Sequence, residues 1–270
     1  MATNSVVLAS FSPGSLNRQF SIYLKETKYE FLKYLRLPVY SFSVVMLPLM
    51  FYVLFGLFMN RQGSIGPVGL STYLIASYGT FGVMGASLFA NGTGVASERG
   101  LGWMQVKQAS PMPPFAYFCA KFVVSMIFGL IIVLSLLTLG IAFGGVHVTL
   151  AQALKLVSTL VVGAIPFCAM GLAIGYFAGP NSAPALVNMI YLPLSFFSGL
   201  WVPLEALPKF LQKFAVALPP YHLAQLALHF VGGDRHGLNS THWEYLGGFT
   251  LLCLGIARLG FQRDEGKTYG

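Results

Sequence analysis

The sequence predicts an all-α integral membrane protein with six transmembrane helices, and three observations carry that prediction. Only 9% of the 270 residues are charged while 56% are hydrophobic, and the mean hydropathy is +0.70; a soluble domain carries about 25% charged residues. Apolar runs long enough to cross about 30 Å of hydrocarbon recur six times. Charged residues fall between those runs or near their ends, as with Lys121, Lys155, Glu244 and Arg258, where a long side chain can reach water.

Taken in order, residues 1–14 read as a disordered N-terminus. Residues 15–37 repeat at helical period, with Leu16, Phe20, Tyr23, Thr27, Phe31 and Tyr34 on one face and Arg18, Lys25, Lys28 and Arg36 away from it. Apolar on one side and cationic on the other describes an amphipathic helix lying in an anionic membrane interface. Pro38 ends it. Residues 38–263 then form a six-span transmembrane domain, with spans at 39–59, 70–91, 115–143, 152–178, 183–203 and 243–261. Pro48, Pro166 and Pro193 lie inside spans, where neighbouring helices can satisfy the carbonyls they free.

Two connections stand out. Residues 98–114, E-R-G-L-G-W-M-Q-V-K-Q-A-S-P-M-P-P, carry charges unsuited to hydrocarbon and end in prolines that stop a helix. They read as a short surface helix between the second and third spans. The segment 203–242 is itself partly apolar. Phe210, Leu211, Phe214 and Leu218 describe one short helix, and Leu223, Leu226, Ala227 and Phe230 a second, with Pro219 and Pro220 between them. Short apolar helices outside a full span read as a re-entrant or extracytoplasmic pair before the last span. Ser195 and Gly199, four apart, place two small residues on one face of the fifth span.

Lys and Arg fix the orientation. With both termini inside, the cytoplasmic side takes Arg18, Lys25, Lys28, Lys33, Arg36, Arg99, Lys107, Lys121, Arg258, Arg263 and Lys267, and the outside takes Arg61, Lys155, Lys209, Lys213 and Arg235. The positive-inside rule favours this arrangement, with the protein in the cell inner (plasma) membrane, both termini cytoplasmic and the 98–114 loop on the side of ATP. The same rule accounts for the net charge of +8, so no nucleic-acid partner is called for. The N-terminus has no basic segment leading into an apolar one, so no cleaved signal peptide is expected.

The loop pattern E-R-x-x-G-x-x-x-x-x-x-A-S-P-x-P, carried by Glu98, Arg99, Gly102, Ala109, Ser110 and Pro111, resembles the loop after the second span of the ABC type-2 transporter permeases. These are the membrane subunits of ATP-driven exporters. Trp103 stands where that family commonly has Thr, and Gln105 where it has a second Glu. The fifth-span signature of the same family is similar to the stretch holding Ser198, Gly199, Pro203, Leu204, Glu205, Leu207, Pro208, Pro219 and Tyr221. The resemblance implies coupling to an ATPase through Glu98, Arg99, Gly102, Trp103, Gln105 and Pro111. It further implies a separate ABC ATPase subunit in two copies that binds the ATP and Mg, leaving no cofactor in this chain. A second copy of this chain or a related permease would complete the pair within membrane lipid. In that family the pathway follows the second and fifth spans, where Tyr73, Tyr78, Phe81, Asn188, Phe196 and Phe197 are candidates, with Gly199, Pro203 and Glu205 at an extracytoplasmic gate.

Other chemistries find no support in the residues. Cys119, Cys168 and Cys253 lie in apolar runs without metal-type spacing. Gly266-Lys267-Thr268 lacks the first glycine of a phosphate-binding loop, where Phe261 stands. His222 and His229, seven apart, have no acidic or Cys ligand at helical spacing, so no metal site is expected. No zincin helix or nucleophile elbow occurs, and no catalytic residue is expected. Spans almost free of ionisable groups argue against ion-coupled carriage and for an ATP-driven machine moving an apolar or amphipathic substrate, such as a drug, antibiotic, lipid or lipid-linked glycan. The alternatives are an ATP-independent channel or carrier, or an intramembrane lipid-modifying enzyme.

Overall fold

The computed structural model describes residues 16–59, 64–65, 68–110, 112–233 and 239–268. The expected disordered N-terminus (1–14) and Pro111 lie outside them. The chain begins with α1 (Leu16–Leu35), followed by α2 (Pro38–Phe51), which runs on as a π-helical turn over Tyr52–Met59. Pro38 opens α2 at a position whose amide has no helical partner in any case. A two-residue antiparallel hairpin, β1 (Ser64–Ile65) and β2 (Val68–Gly69), pairs Ser64 with Gly69 and Ile65 with Val68. Then come α3 (Leu70–Leu88), a π-helical turn at Phe89–Thr93 and α4 (Gly94–Gly100), one continuous rod, and the short α5 (Trp103–Gln108).

The remaining elements are α6 (Pro114–Phe143), α7 (Leu150–Val162), α8 (Ala164–Phe177), α9 (Ala183–Phe197), a 3₁₀ turn at Leu204–Ala206, α10 (Lys209–Ala215), α11 (Pro219–Phe230) and α12 (Asn239–Thr268). A capping box starts α7: Thr149 Oγ1 accepts from the Gln152 amide at 3.3 Å, and Gln152 Oε1 accepts from the Thr149 amide at 2.9 Å.

Among the described residues five helices are long and apolar enough to cross a membrane: Pro38–Met59, Leu70–Gly100, Phe115–Phe143, Leu150–Phe177 and Asn239–Arg263. The expected fifth span at 183–203 is not a single helix. α9 has 15 residues, about 22 Å against a hydrocarbon thickness of about 30 Å. It ends because Gly199 takes φ +74, a left-handed turn open to glycine, and the Leu200 amide turns back to donate to Ser195 O at 3.1 Å. Gly199 therefore shares no helix face with Ser195, and a Cβ there would meet Leu204 at 3.2–3.4 Å rather than a second helix.

The second span forms the centre of the bundle. Its residues from Tyr73 to Leu88 are all buried, between α2, α6, α8 and α11. Gly171 and Gly175 of α8 come close to its backbone: a Cβ on Gly171 would sit 2.9 Å from Asn91 Cβ, and one on Gly175 would sit 2.9 Å from the Asn91 and Gly92 carbonyl oxygens.

The helix pair before the last span divides in an unexpected way. α10 is exposed through Phe210 and Phe214, whereas α11 is buried from Pro219 to Leu228 and packs on α3, α7 and α12. Pro219 and Pro220 open α11 rather than separating the two helices. α11 thus belongs to the core, where ten consecutive residues replace lipid or water with protein.

Candidate functional site

The buried residues of the amphipathic helix, among those described, lie in its C-terminal half. Phe31 and Tyr34 lie against Phe128 of α6 at ring separations of 5.8 and 6.3 Å, while Phe20 stays exposed. That packed stripe also carries Glu30, which is 5% exposed, and Lys33 follows it by three residues. Facing them are Glu98, in the last turn of α4, and Lys121, two turns inside α6 and fully buried.

These four charges form a closed alternating ring. Lys121 Nζ lies 2.8 Å from Glu30 Oε1 and 3.1 Å from Glu98 Oε1. Lys33 Nζ lies 2.5 Å from Glu30 Oε1 and also contacts Glu98 Oε1. Each carboxylate meets two ammonium groups and each ammonium two carboxylates, so the ring is neutral as a whole. Tyr117, one turn before Lys121, donates its hydroxyl to the second Glu98 oxygen at 2.5 Å. Burial, followed by the like charge of Lys121, pulls the Lys33 pKa below the usual lysine range, against the opposing pull of the two carboxylates. A second ion pair joins Lys107 of α5 to Glu26 of α1, with the Lys107 ammonium 4.4 Å from the centre of the Tyr117 ring.

The ring explains why the second span runs past its expected end at 91. Glu98 and Arg99, expected in a short surface helix between two spans, instead continue the second span's own helix, where their charges are satisfied within the chain. Arg99 donates to Gly175 O at 2.7 Å and stands 5.5 Å over the Tyr176 ring. Lys121, expected to reach the interface, points inward because both of its partners are there.

Among its described residues the 98–114 connection exposes three large apolar side chains. Gly102, at φ +74, turns the chain into α5, and Leu101, Trp103 and Val106 are 74%, 54% and 61% exposed, with Gln105 exposed among them. Of the six residues expected to couple to an ATPase, Glu98 and Arg99 therefore face this chain, Trp103 and Gln105 face outward, Gly102 shapes the turn, and Pro111 is outside the described residues.

The expected pathway residues separate into two groups. Tyr73, Tyr78 and Phe81 are buried within the chain; Tyr78 donates to Trp201 O at 3.3 Å, and Phe81 stacks on Tyr191 at 4.8 Å. Asn188 is exposed and donates to Pro184 O at 3.1 Å. It lines an apolar groove of about 340 Å³ together with Tyr40, Leu47, Phe89 and Tyr191. Phe196 is 38% exposed, and Phe197 packs edge-on against Phe214 of α10. Of the gate residues, Glu205 shares a small polar pocket with Tyr73, Gln212 and Gln225, while Pro203 starts the 3₁₀ turn that Gly199 leads into.

His222 does not pair with His229. Its Nδ1 lies 2.7 Å from Nδ1 of His242, in α12, and its Nε2 2.9 Å from Val216 O. A carbonyl only accepts, so Nε2 carries the proton in neutral His222, and Nδ1 accepts from the His242 N–H.

Sequence reasoning missed Glu30, Lys33, Tyr117 and Lys121 as site residues. Two signals mark them: Lys121 is the only charge in the third apolar run, and Glu30 falls at helical spacing from Thr27 and Tyr34. An ionisable residue on such a face implies a partner.

Residues 24–230 match the family model described as ABC-2 type transporter. A protein of Bacillus subtilis (strain 168), named "Putative transport permease YvfS", is 25% identical to the chain over 209 residues, covering 77% of this chain and 85% of that protein.

Proposed function

The chain belongs to the ABC-2 type transporter family, and from that premise we propose that it is the membrane subunit of an ATP-driven exporter. It is a multi-pass transport subunit, and its family implies association with an ABC ATPase. In our reading the ATPase is a separate polypeptide present in two copies, which holds the ATP and Mg. Two permease chains, identical or related, form the path across the inner (plasma) membrane, with both termini in the cytoplasm. The cargo is an apolar or amphipathic molecule of the drug, antibiotic, lipid or lipid-linked glycan class.

One observation carries this reading. The 98–114 connection exposes Leu101, Trp103 and Val106 on a short element whose base is fixed by buried charges to α1 and α6. Exposed apolar side chains on a firmly held base suit a surface that receives force from a partner. ATP binding would draw the two ATPase copies together, push on this element and turn the spans from inward-open to outward-open.

The test is reconstitution of the permease with its ATPase in vesicles. Export of an amphipathic probe should require hydrolysable ATP and should fall about tenfold with Trp103→Ala, while the chain still inserts. Equal flux by the permease alone, without ATP, would establish a channel or carrier instead.

A further inference from the structure

We propose that Lys121 and Glu30 are positioning residues that make α1 and the α4–α5 corner one rigid body, anchored on α6. The argument starts from the number of attachments. α1 meets the corner at two separate points, Glu26 with Lys107 and Lys33 with Glu98. Glu26 and Lys33 are seven residues apart, about 10 Å along the helix axis. Two attachments at that spacing, both on one face of α1, stop it swinging about either one but leave it free to roll about the line that joins them.

Lys121 supplies the third attachment and ties both sides at once, since its ammonium contacts Glu30 of α1 and Glu98 of α4. It has no exposed surface, so it cannot exchange these partners for water without the helices separating. The alternation of charge then favours the assembled state. Moving α1 away would leave Glu98 with Lys121 and Glu30 with Lys33, each pair stripped of half its contacts in a poorly solvated place. A push on the exposed face of α5 would therefore reach α1 and α6 together, not the second span alone. This functional consequence rests on the transport reading; the rigidity does not.

The decisive comparison is between Lys121→Met and the double variant Glu30→Gln/Lys121→Met. The single variant leaves three charges in the ring, and the double leaves the balanced pair Lys33 and Glu98. Spin labels at the exposed positions Leu24 and Val106, in a Cys119→Ser background, report the distance between α1 and α5 in lipid nanodiscs. The parent should give one narrow distribution, and both variants a distribution about twofold broader. Melting temperature should drop in the single variant and return to within about 2 °C of the parent in the double.

Recovered stability with a persistently broad distance assigns Lys121 and Glu30 to positioning. A distribution that stays narrow in either variant, or narrows again along with stability, overturns the proposal and leaves the ring as charge balance. Where the single variant fails to reach the membrane, the double carries the test. In complexes with the ATPase, both variants should move about tenfold less cargo per ATP. A parent complex without ATP-dependent transport defeats the transport reading, while the distance measurement still decides the ring.

Discussion

The second and last spans are nearly equal in apolarity and opposite in environment. Their most apolar stretches have mean hydropathies of 1.3 and 1.2, yet 94% of one is buried by protein and 22% of the other. Hydropathy registers that a helix can leave water; it does not register whether lipid or protein replaces it. The difference lies in what the second span does with its small and polar residues. Ser71, Ser87 and Asn91 bond to carbonyls or to one another's neighbours within the bundle, and its glycines admit adjacent helices. Small residues at close helix contacts are expected in membranes, where apolar side chains gain little by leaving lipid. In the last span Gly247, Gly248 and Gly255 have no neighbour within 4 Å of a would-be Cβ.

The contrast should be largest at the acidic residues near the two spans' ends. Glu98→Ala leaves an uncompensated positive charge in the ring, at a cost of about 3–5 kcal/mol. Glu244 is exposed in α12, so Glu244→Ala should cost under about 0.5 kcal/mol. In reconstituted complexes Glu98→Ala should insert yet hydrolyse ATP without matching export. Wild-type transport by a well-expressed Glu98→Ala protein would reduce that corner to a spacer.

Glycine substitutions sharpen the comparison at mid-membrane. A Cβ on Gly82 would meet Ile132 Cγ2 at 2.7 Å and Pro48 Cγ at 3.0 Å, whereas one on Gly248 meets nothing. Gly82→Ala should destabilise by about 1–3 kcal/mol through overpacking, and Gly248→Ala should be neutral or slightly stabilising. Thermal melts in detergent and in nanodiscs check both. A loss at Gly248 confined to nanodiscs would mean that a second chain covers the outward face of the last span.

One buried point of the last span is His242, and there the expected effect is smaller and depends on pH. Burial, and then the neighbouring His242, pulls His222 from 6.5 down to about 4. The unfolded chain takes up this proton near 6.5 and the folded chain only near 4, so between those values the unfolded chain holds more protons. Stability should fall as pH drops from 7 towards 4, with the melting temperature at pH 5 roughly 3–6 °C below that at pH 7.5. His222→Asn should flatten that dependence. An equal slope in the variant would move the pH response to other groups.

The smallest effect is expected from lipid-facing side chains. Leu251 is 73% exposed, and Leu251→Ala should leave both stability and cargo preference unchanged. Phe197→Ala and Asn188→Ala should shift preference across a panel of amphipathic compounds more than they lower ATPase activity. If Leu251→Ala shifts it as much, α9 is packing and not pathway.

Much of the helical layout is legible in the sequence because apolar length is a one-dimensional property. The first four spans and the last are located within a few residues at most of their ends by counting alone. The second span is the exception: it runs nine residues past its expected end, because Glu98 and Arg99 find partners on α1, α6 and α8 that no local window contains. Counting also fails at α9, where hydropathy continues through Gly199 while the backbone turns, and at α11, whose apolar residues serve the core. The ring was the least legible feature. Its members come from positions 30, 33, 98 and 121, and only the isolation of Lys121 within an apolar run and the place of Glu30 on the apolar face of α1 hint at it.

The π-helical turn at Phe89–Thr93 bears on how tightly the second span constrains its own length. Each α-helical residue advances about 100° around the axis, and a π turn takes up roughly one more residue without a matching advance. The turn therefore works as a phase adjuster between the part of the rod that faces Tyr191 of α9 and the part that presents Glu98 to Lys121. Tyr34 of α1 reads this adjustment directly by donating to Ala90 O at 2.8 Å inside the turn. Rewinding it as a uniform α-helix with every residue kept would give the extra residue its full advance and swing Glu98 through about 100°, away from both of its lysines. The angle at which Glu98 meets its lysines is thus set by how these five residues are wound and not by how many residues the span contains.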